Sequence, residues 1–457
     1  MYVQIRLKNK GWTKLFLQPD KSDKDTFLLV EAADKVDSPI LSLKRDDNKL
    51  TVIRQTDDVE EDREELSGKL ADLASRINEA EKQGVDLSEL DGEAGDKAAK
   101  PYDPNKIRVE QKVFSLRQIY EMINCDDLDI SPDFQRNEVW DNFRKSRLIE
   151  SILLRIPLPV FYFSEDERGV LSVVDGLQRL SAIKAFMDNT LVLKGLEYLN
   201  NCEGKCYSAE GNSIEDKYKR WFNATQISAN VITADSPYQV KFDVFRRLNT
   251  GGKPLNSQEL RNCLMNNAVR DLLRHMSSSQ PFKEATGYSI DDRRMTGQEM
   301  GMRFIYFLDL YTHNRLHDYN GLIDDCLDSL VESLRRLSKE QLEVYKNKYE
   351  TAMRNAYYLF GRHTFRKVNA DTEYDSPRSL INKALFVAWA VILSGYDTDF
   401  IQTSFKRNSF IKTLGKAIDD DEMFFTYLSY GTNGVKNIHY VFAKVKGLMD
   451  ANIIRYE

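Results

Sequence analysis

GVLSVVDGLQRLSAIKAF, residues 169–186, changes its apolar period halfway along. Val170 to Val174 is a short apolar run that breaks at Asp175-Gly176, and Leu177, Leu180, Ile183 and Phe186 then recur at helical spacing. The stretch reads as strand, tight turn and helix. Such a turn sets Asp175, Gln178 and Arg179 beside the unpaired amides of the first helical turn, where a phosphate would sit. An ordinary strand-to-helix junction accounts for the same residues, with Asp175 as cap and Arg179 a solvated surface residue. Both readings stay open at this point.

Working outward, Val109 to Phe114 reads as a strand and Ser115 to Asn124 as a helix. In LDISPDFQRNEVWDNFRKSRLIESILLRIPLPVFYF, residues 128–163, an extended piece leads to a turn holding Phe134, Gln135 and Arg136. A helix through Arg147, Ile149 and Leu153 follows, ended by Pro157 and Pro159 before the strand Val160 to Phe163. Arg147 and Glu150 face the region of Gln135 and Arg136, with a surface ion network as their plain explanation. Beyond residue 186, Thr190 to Lys219 is polar and reads as strands with loops. Trp221 and Phe222 then precede an extended piece from Gln226 to Thr233. The next helix, Pro237 to Leu248, ends at Asn249-Thr250-Gly251-Gly252, where paired glycines leave amides open to an anion. Ser257 stands near the cap of the helix after that, and Glu259 is placed to orient Arg246 or Arg247.

The flanks differ in kind. Tyr2 to Arg54 holds short apolar stretches between polar separators, which fits a small antiparallel meander. Asp57 to Gln83 is acidic and helical, with Leu66, Leu70, Leu73 and Ile77 on one face, and Gly84 to Asn105 has linker composition. From Ala268 onward helical patterns dominate, among them the apolar run Ala384 to Leu393 around Trp389, placed inside a helical bundle. The domains so drawn are residues 1–56 (small β domain), 57–106 (acidic helix and linker), 107–267 (phosphate-binding α/β domain) and 268–457 (helical domain). His313 and His317 lack the glutamate of a metalloprotease helix. His363 stands among Arg362, Arg366 and Lys367, a basic patch suited to phosphate contact or a solvated face.

Composition bounds the function. The 457 residues are 42% apolar and 30% charged, with a net charge of −6, which is no footprint of a generally basic nucleic-acid binder. Five cysteines form no paired framework, and Cys202 with Cys206 lacks the second pair of a zinc site. The opening residues do not read as a signal peptide, and no apolar run reaches membrane-spanning length, so the expected location is the cytoplasm without membrane association.

Four blocks together, FQRNEVW, LIESILLRIPLPVFYF, VVDGLQRLSAI and VFRRLNTGGKPLNSQEL, resemble the N-terminal domain family of GmrSD-type modification-dependent restriction proteins, domain-of-unknown-function family 262. The resemblance covers Ile107 to Met265 closely. It implies an α+β chain with a ParB/sulfiredoxin-like core, a large all-helical C-terminal region and a small N-terminal β domain. That family's DGQQR motif stands here as Asp175-Gly176-Leu177-Gln178-Arg179, with Leu177 in place of the first glutamine, which puts nucleotide preference and hydrolysis in question.

The resemblance implies antiphage defence, DNA interaction and binding or hydrolysis of an NTP, GTP or ATP foremost, with Mg2+ alongside. Asp175, Gln178 and Arg179 carry the catalytic roles, and Gln135, Arg136, Gly176, Arg179, Arg246, Asn249, Thr250 and Gly251 hold the nucleotide. No metal ligand is assigned. No His-Asn-His arrangement follows Ala268, so no HNH nuclease is assigned either. DNA or a defence-system protein is the expected partner, and an oligomer is compatible. Two rivals remain: a DNA-binding or nicking enzyme using the same cleft, and a noncatalytic partner-binding module.

Overall fold

The computed structural model describes residues 2–19, 26–31, 39–46, 49–86, 108–130, 140–236, 241–242, 244 and 256–453. The chain divides into two compact units, one joining residues 1–97 to 267–457 and the other comprising 98–266.

In the first unit, β1 (Tyr2–Leu7), β2 (Gly11–Pro19), β3 (Thr26–Val30), β4 (Leu41–Asp46) and β5 (Lys49–Gln55) pair antiparallel in chain order, the meander expected from the separators. Alternation puts Val3, Ile5, Leu7, Leu15 and Leu17 on one face. A five-stranded sheet with a bare apolar face is unstable in water, and α1 (Arg63–Lys82) covers it with Leu66, Leu70, Leu73 and Ile77. Arg45 of β4 forks onto Glu81 of α1 at 2.6 and 2.7 Å. Leu70 is 4% exposed, so Leu70→Ala is expected to cost this sheet and helix about 2–5 kcal/mol, measured by chemical denaturation. A loss under about 0.5 kcal/mol would mean that helix and sheet do not share a core.

The C-terminal part is helical throughout: α7 (Asn267–Ser278), α8 (Gln280–Thr286), α9 (Thr296–Thr312), α10 (Ile323–Arg335), α11 (Lys339–Phe360), α12 (Lys383–Leu393), α13 (Thr398–Ser404), α14 (Phe410–Asp419), α15 (Glu422–Ser429) and α16 (Val435–Ile453). Every residue of α12 is buried, Trp389 completely, as α9, α11 and α16 pack round it. Among the described residues no single helix is long and apolar enough to cross a membrane. The expected solvated face at His363 is corrected. His363 and Arg366 are 1% and 2% exposed, and Lys367 pairs with Asp86 at 3.4 Å.

The second unit is built on one mixed sheet, in order β6 (Val109–Ser115), β10 (Gln226–Ile232), β8 (Phe161–Glu165), β9 (Leu171–Asp175), β7 (Leu128–Asp129). β10 runs antiparallel to β6 and parallel to β8, while β8 and β9 form an antiparallel pair and β7 runs parallel to β9. Helices α2 (Leu116–Asn124), α3 (Asn142–Leu153), α4 (Leu177–Met187) and α5 (Asp216–Ala224) contribute Ile119, Ile149, Ile152, Ile183, Phe186 and Phe222 to a core shared with Phe161, Phe163 and Val173 of the sheet. α6 (Ser257–Leu264) packs against β9.

One expectation changes here. Residues 190–215 form no strand beyond an isolated Cys206–Ser213 bridge, while Trp221 and Phe222, inside α5, lead into the expected extended piece as β10. Ser257 stands beside the cap of α6, which is Asn256: its side chain takes the Glu259 amide at 2.8 Å while the Glu259 carboxylate takes the Asn256 amide at 2.7 Å.

Candidate functional site

The site begins with an irregularity in the sheet. Tyr162 faces Asp175 whereas Phe163 faces Val173, so Val174 is an extra residue between them. A bulge of this kind bends the strand and re-aims the side chain after it. Val173 and Val174 are therefore both buried, and Asp175 leaves the strand with its side chain 41% exposed.

Gly176 makes the turn at φ +101°, a conformation that side chains with a Cβ rarely adopt. A Cβ there would also lie 2.4 Å from Cδ1 of Phe161. Gly176 is itself the N-cap of α4, and no side chain caps that helix. The expected Asp175 cap is thus corrected, because the carboxylate turns to Arg179 instead. Among the described residues, the amides of Leu177 and Arg179 meet no acceptor, leaving the positive end of the helix open.

Arg179 is not a solvated surface residue. Its side chain is 11% exposed, with Nη2 on Asp175 Oδ2 at 2.8 Å and the guanidinium 4.2 Å above the Phe161 ring. It also donates to the carbonyl oxygens of Pro159 and Val160 at the entry to β8. Burial pulls the guanidinium below its ordinary value, and the Asp175 carboxylate restores part of the loss. Gln178 accepts the Trp140 amide at 3.1 Å, which ties the first turn of α4 to the residue just ahead of α3.

On α3, the expected surface network of Arg147 and Glu150 is corrected. Arg147 does bridge Glu150 at 3.4 Å and Glu197 at 2.8 Å. Glu150, however, is 3% exposed and accepts the amides of Glu197, Tyr198 and Leu199 at 3.0, 2.7 and 3.0 Å. Burial would raise its carboxyl, but the three amides and Arg147 outweigh that and hold it below the usual range. Glu203 binds the Gly195 and Leu196 amides in the same manner at 2.8 and 2.9 Å. Carboxylates thus satisfy the 195–199 backbone in place of a ladder, which is why no strand forms there.

The described residues therefore bring Asp175, Gly176, Gln178 and Arg179 together at one turn. Gln135, Arg136, Arg246, Asn249, Thr250 and Gly251 lie outside the described residues. Sequence reasoning missed Phe161 as the floor under Gly176 and Arg179, and Trp140 as the partner of Gln178. Only the apolar strand after Pro159 hinted at the first. Among the described residues, no group of three His, Cys, Asp or Glu could hold a metal ion.

Residues 116–266 match the family model described as the GmrSD restriction endonuclease N-terminal domain. The match takes in the bulge, the Asp175 turn, α3 and α6. No curated protein matches the chain.

Proposed function

We propose that residues 107–267 bind, and turn over, a nucleoside triphosphate in an antiphage restriction protein, with a ParB/sulfiredoxin-like core as the frame. The observation that carries this reading is the N-terminus of α4, which no side chain caps and where the amides of Leu177 and Arg179 meet no acceptor among the described residues. Asp175 would repel a phosphate at that place. Arg179, fixed on Asp175 at 2.8 Å, neutralises it and keeps a cation behind the amides. Gln135 and Arg136, ahead of Trp140, and Arg246, Asn249, Thr250 and Gly251, ahead of Asn256, would complete the walls.

In this reading Gln178 is a positioning residue that holds Trp140 ahead of α3. Asp175 orients a water or accepts its proton. The residues fit Mg2+ only as an ion carried on the nucleotide's phosphates, with Asp175 as the carboxylate at the turn that would join it through water. When bound, the ion would neutralise charge on the transferring phosphoryl group. The 268–457 helices would pass the nucleotide state to DNA or a protein partner, in the cytoplasm. The family's endonuclease description favours one other reading, a nicking enzyme that receives a DNA phosphate at the same turn.

Titration with each NTP, with and without Mg2+, followed by phosphate release, tests this. Arg179→Ala is expected to weaken nucleotide binding at least about tenfold, because it removes a cation and exposes the Asp175 charge. Unchanged affinity in that variant would end the proposal. Plasmid nicking lost in Arg179→Ala, without any nucleotide binding by the wild type, would establish the nicking reading instead.

A further inference from the structure

A second cationic site lies in the helical part, at the end of α8. Arg366 is 2% exposed, and its guanidinium donates to the carbonyl oxygens of Ser379 and Thr286 and to Ser289 Oγ, the last two at 2.7 and 2.9 Å. Its Nε is buried with no acceptor among the described residues. Arg378 is exposed and lies over Gly287, with Nη1 2.1 Å and Arg366 Nη2 3.9 Å from the point a Cβ there would occupy. Two guanidinium groups therefore meet at one backbone position, Arg378 donating to the Gly287 carbonyl at 3.0 Å. Arg362 is half-buried nearby. Burial first, then the charges of Arg378 and Arg362, pull Arg366 down to about 10.

Among the described residues, no carboxylate pairs with any of these three arginines. Carbonyl dipoles at the end of α8 offset part of the buried charge, but a cluster of three cations without a counter-ion is an unusual thing for a fold to keep. We propose that this cluster binds a phosphoryl group, received by Arg378 and Arg362 above the buried Arg366. Planar guanidinium forks match phosphate oxygens, and three positive charges suit a phosphate better than a single carboxylate. The phosphoryl group comes either from a free phosphate or nucleotide, or from a nucleic-acid backbone. This site is independent of the Asp175 turn.

The test uses the full chain with Arg362→Ala and Arg378→Ala combined, leaving the buried Arg366 in place to preserve the fold. Inorganic phosphate is titrated against potassium chloride at matched ionic strength and read by thermal shift, and a duplex oligonucleotide is titrated by fluorescence anisotropy. A variant with Arg336→Ala and Lys406→Ala removes the same charge elsewhere as a control. The expected result is an affinity at least tenfold weaker in the double arginine variant for one of the two probes, unchanged in the control. Loss for inorganic phosphate identifies a free anion as the source, and loss for the duplex alone identifies the backbone. The double arginine variant binding both probes as the wild type does, or as the control does, would overturn the proposal.

Discussion

Gly176→Ala is expected to destabilise the second unit by about 2–6 kcal/mol. Two costs combine: a side chain held at φ +101°, worth about 1–3 kcal/mol, and a methyl placed 2.4 Å from the Phe161 ring, worth a similar amount in forced repacking. The damage spreads further than the methyl, because the ring that must move is the one beneath Arg179. If Phe161 shifts, the guanidinium loses its face contact and Asp175 its anchor. Chemical denaturation measures the loss, and a double-mutant cycle with Phe161→Leu isolates the clash: the second substitution should return part of it. An Ala variant within about 0.5 kcal/mol of the wild type would show that the turn has another conformation open to it.

Glu150→Ala is the other large effect, about 3 kcal/mol or more, because three part-buried amides lose a charged acceptor at about 1–3 kcal/mol each. In a unit of this size that lowers the melting temperature by roughly 6–12 °C. Acidity acts in the same direction. The Glu150 carboxyl is held below its unfolded value, so its contribution is fully present above that value and disappears as pH falls through the folded one. The stability gap between the wild type and Glu150→Gln should therefore narrow as the solution is acidified below the carboxylate range. A gap constant from neutral pH to pH 3 would mean that the carboxylate charge is not what the 197–199 amides hold.

The strand, turn and helix around Asp175 were legible because three local signals agree: a change of apolar period, an Asp-Gly break and a helical run of Leu177, Leu180 and Ile183. The meander and the helical C-terminal half were legible for the same reason. What failed was everything decided by partners distant in the chain. Arg147 and Glu150 stand three apart, as a surface pair would, and nothing nearby says that the carboxylate reaches amides 47 to 49 residues away. Asp175 looks like a cap until the bulge at Val174 turns it toward Arg179. His363 and Arg366 look solvated in a run of basic residues, yet the backbone oxygens of Thr286 and Ser379 draw Arg366 inside. Thr190 to Lys219, polar and glycine-bearing, suggested strands with loops, and local spacing could not reveal that Glu150 and Glu203 take the 195–199 amides instead.

Residues from both ends of the chain make up the first unit, with the second unit encoded between them. During synthesis on the ribosome, the meander and α1 emerge early and can close their own leucine core. Asp86, by contrast, must wait for Lys367 and Asn382, which are translated only after the whole 98–266 segment has left the exit tunnel. Vectorial folding thus gives the middle unit a head start: it can reach its native state while its flanking unit is still half made.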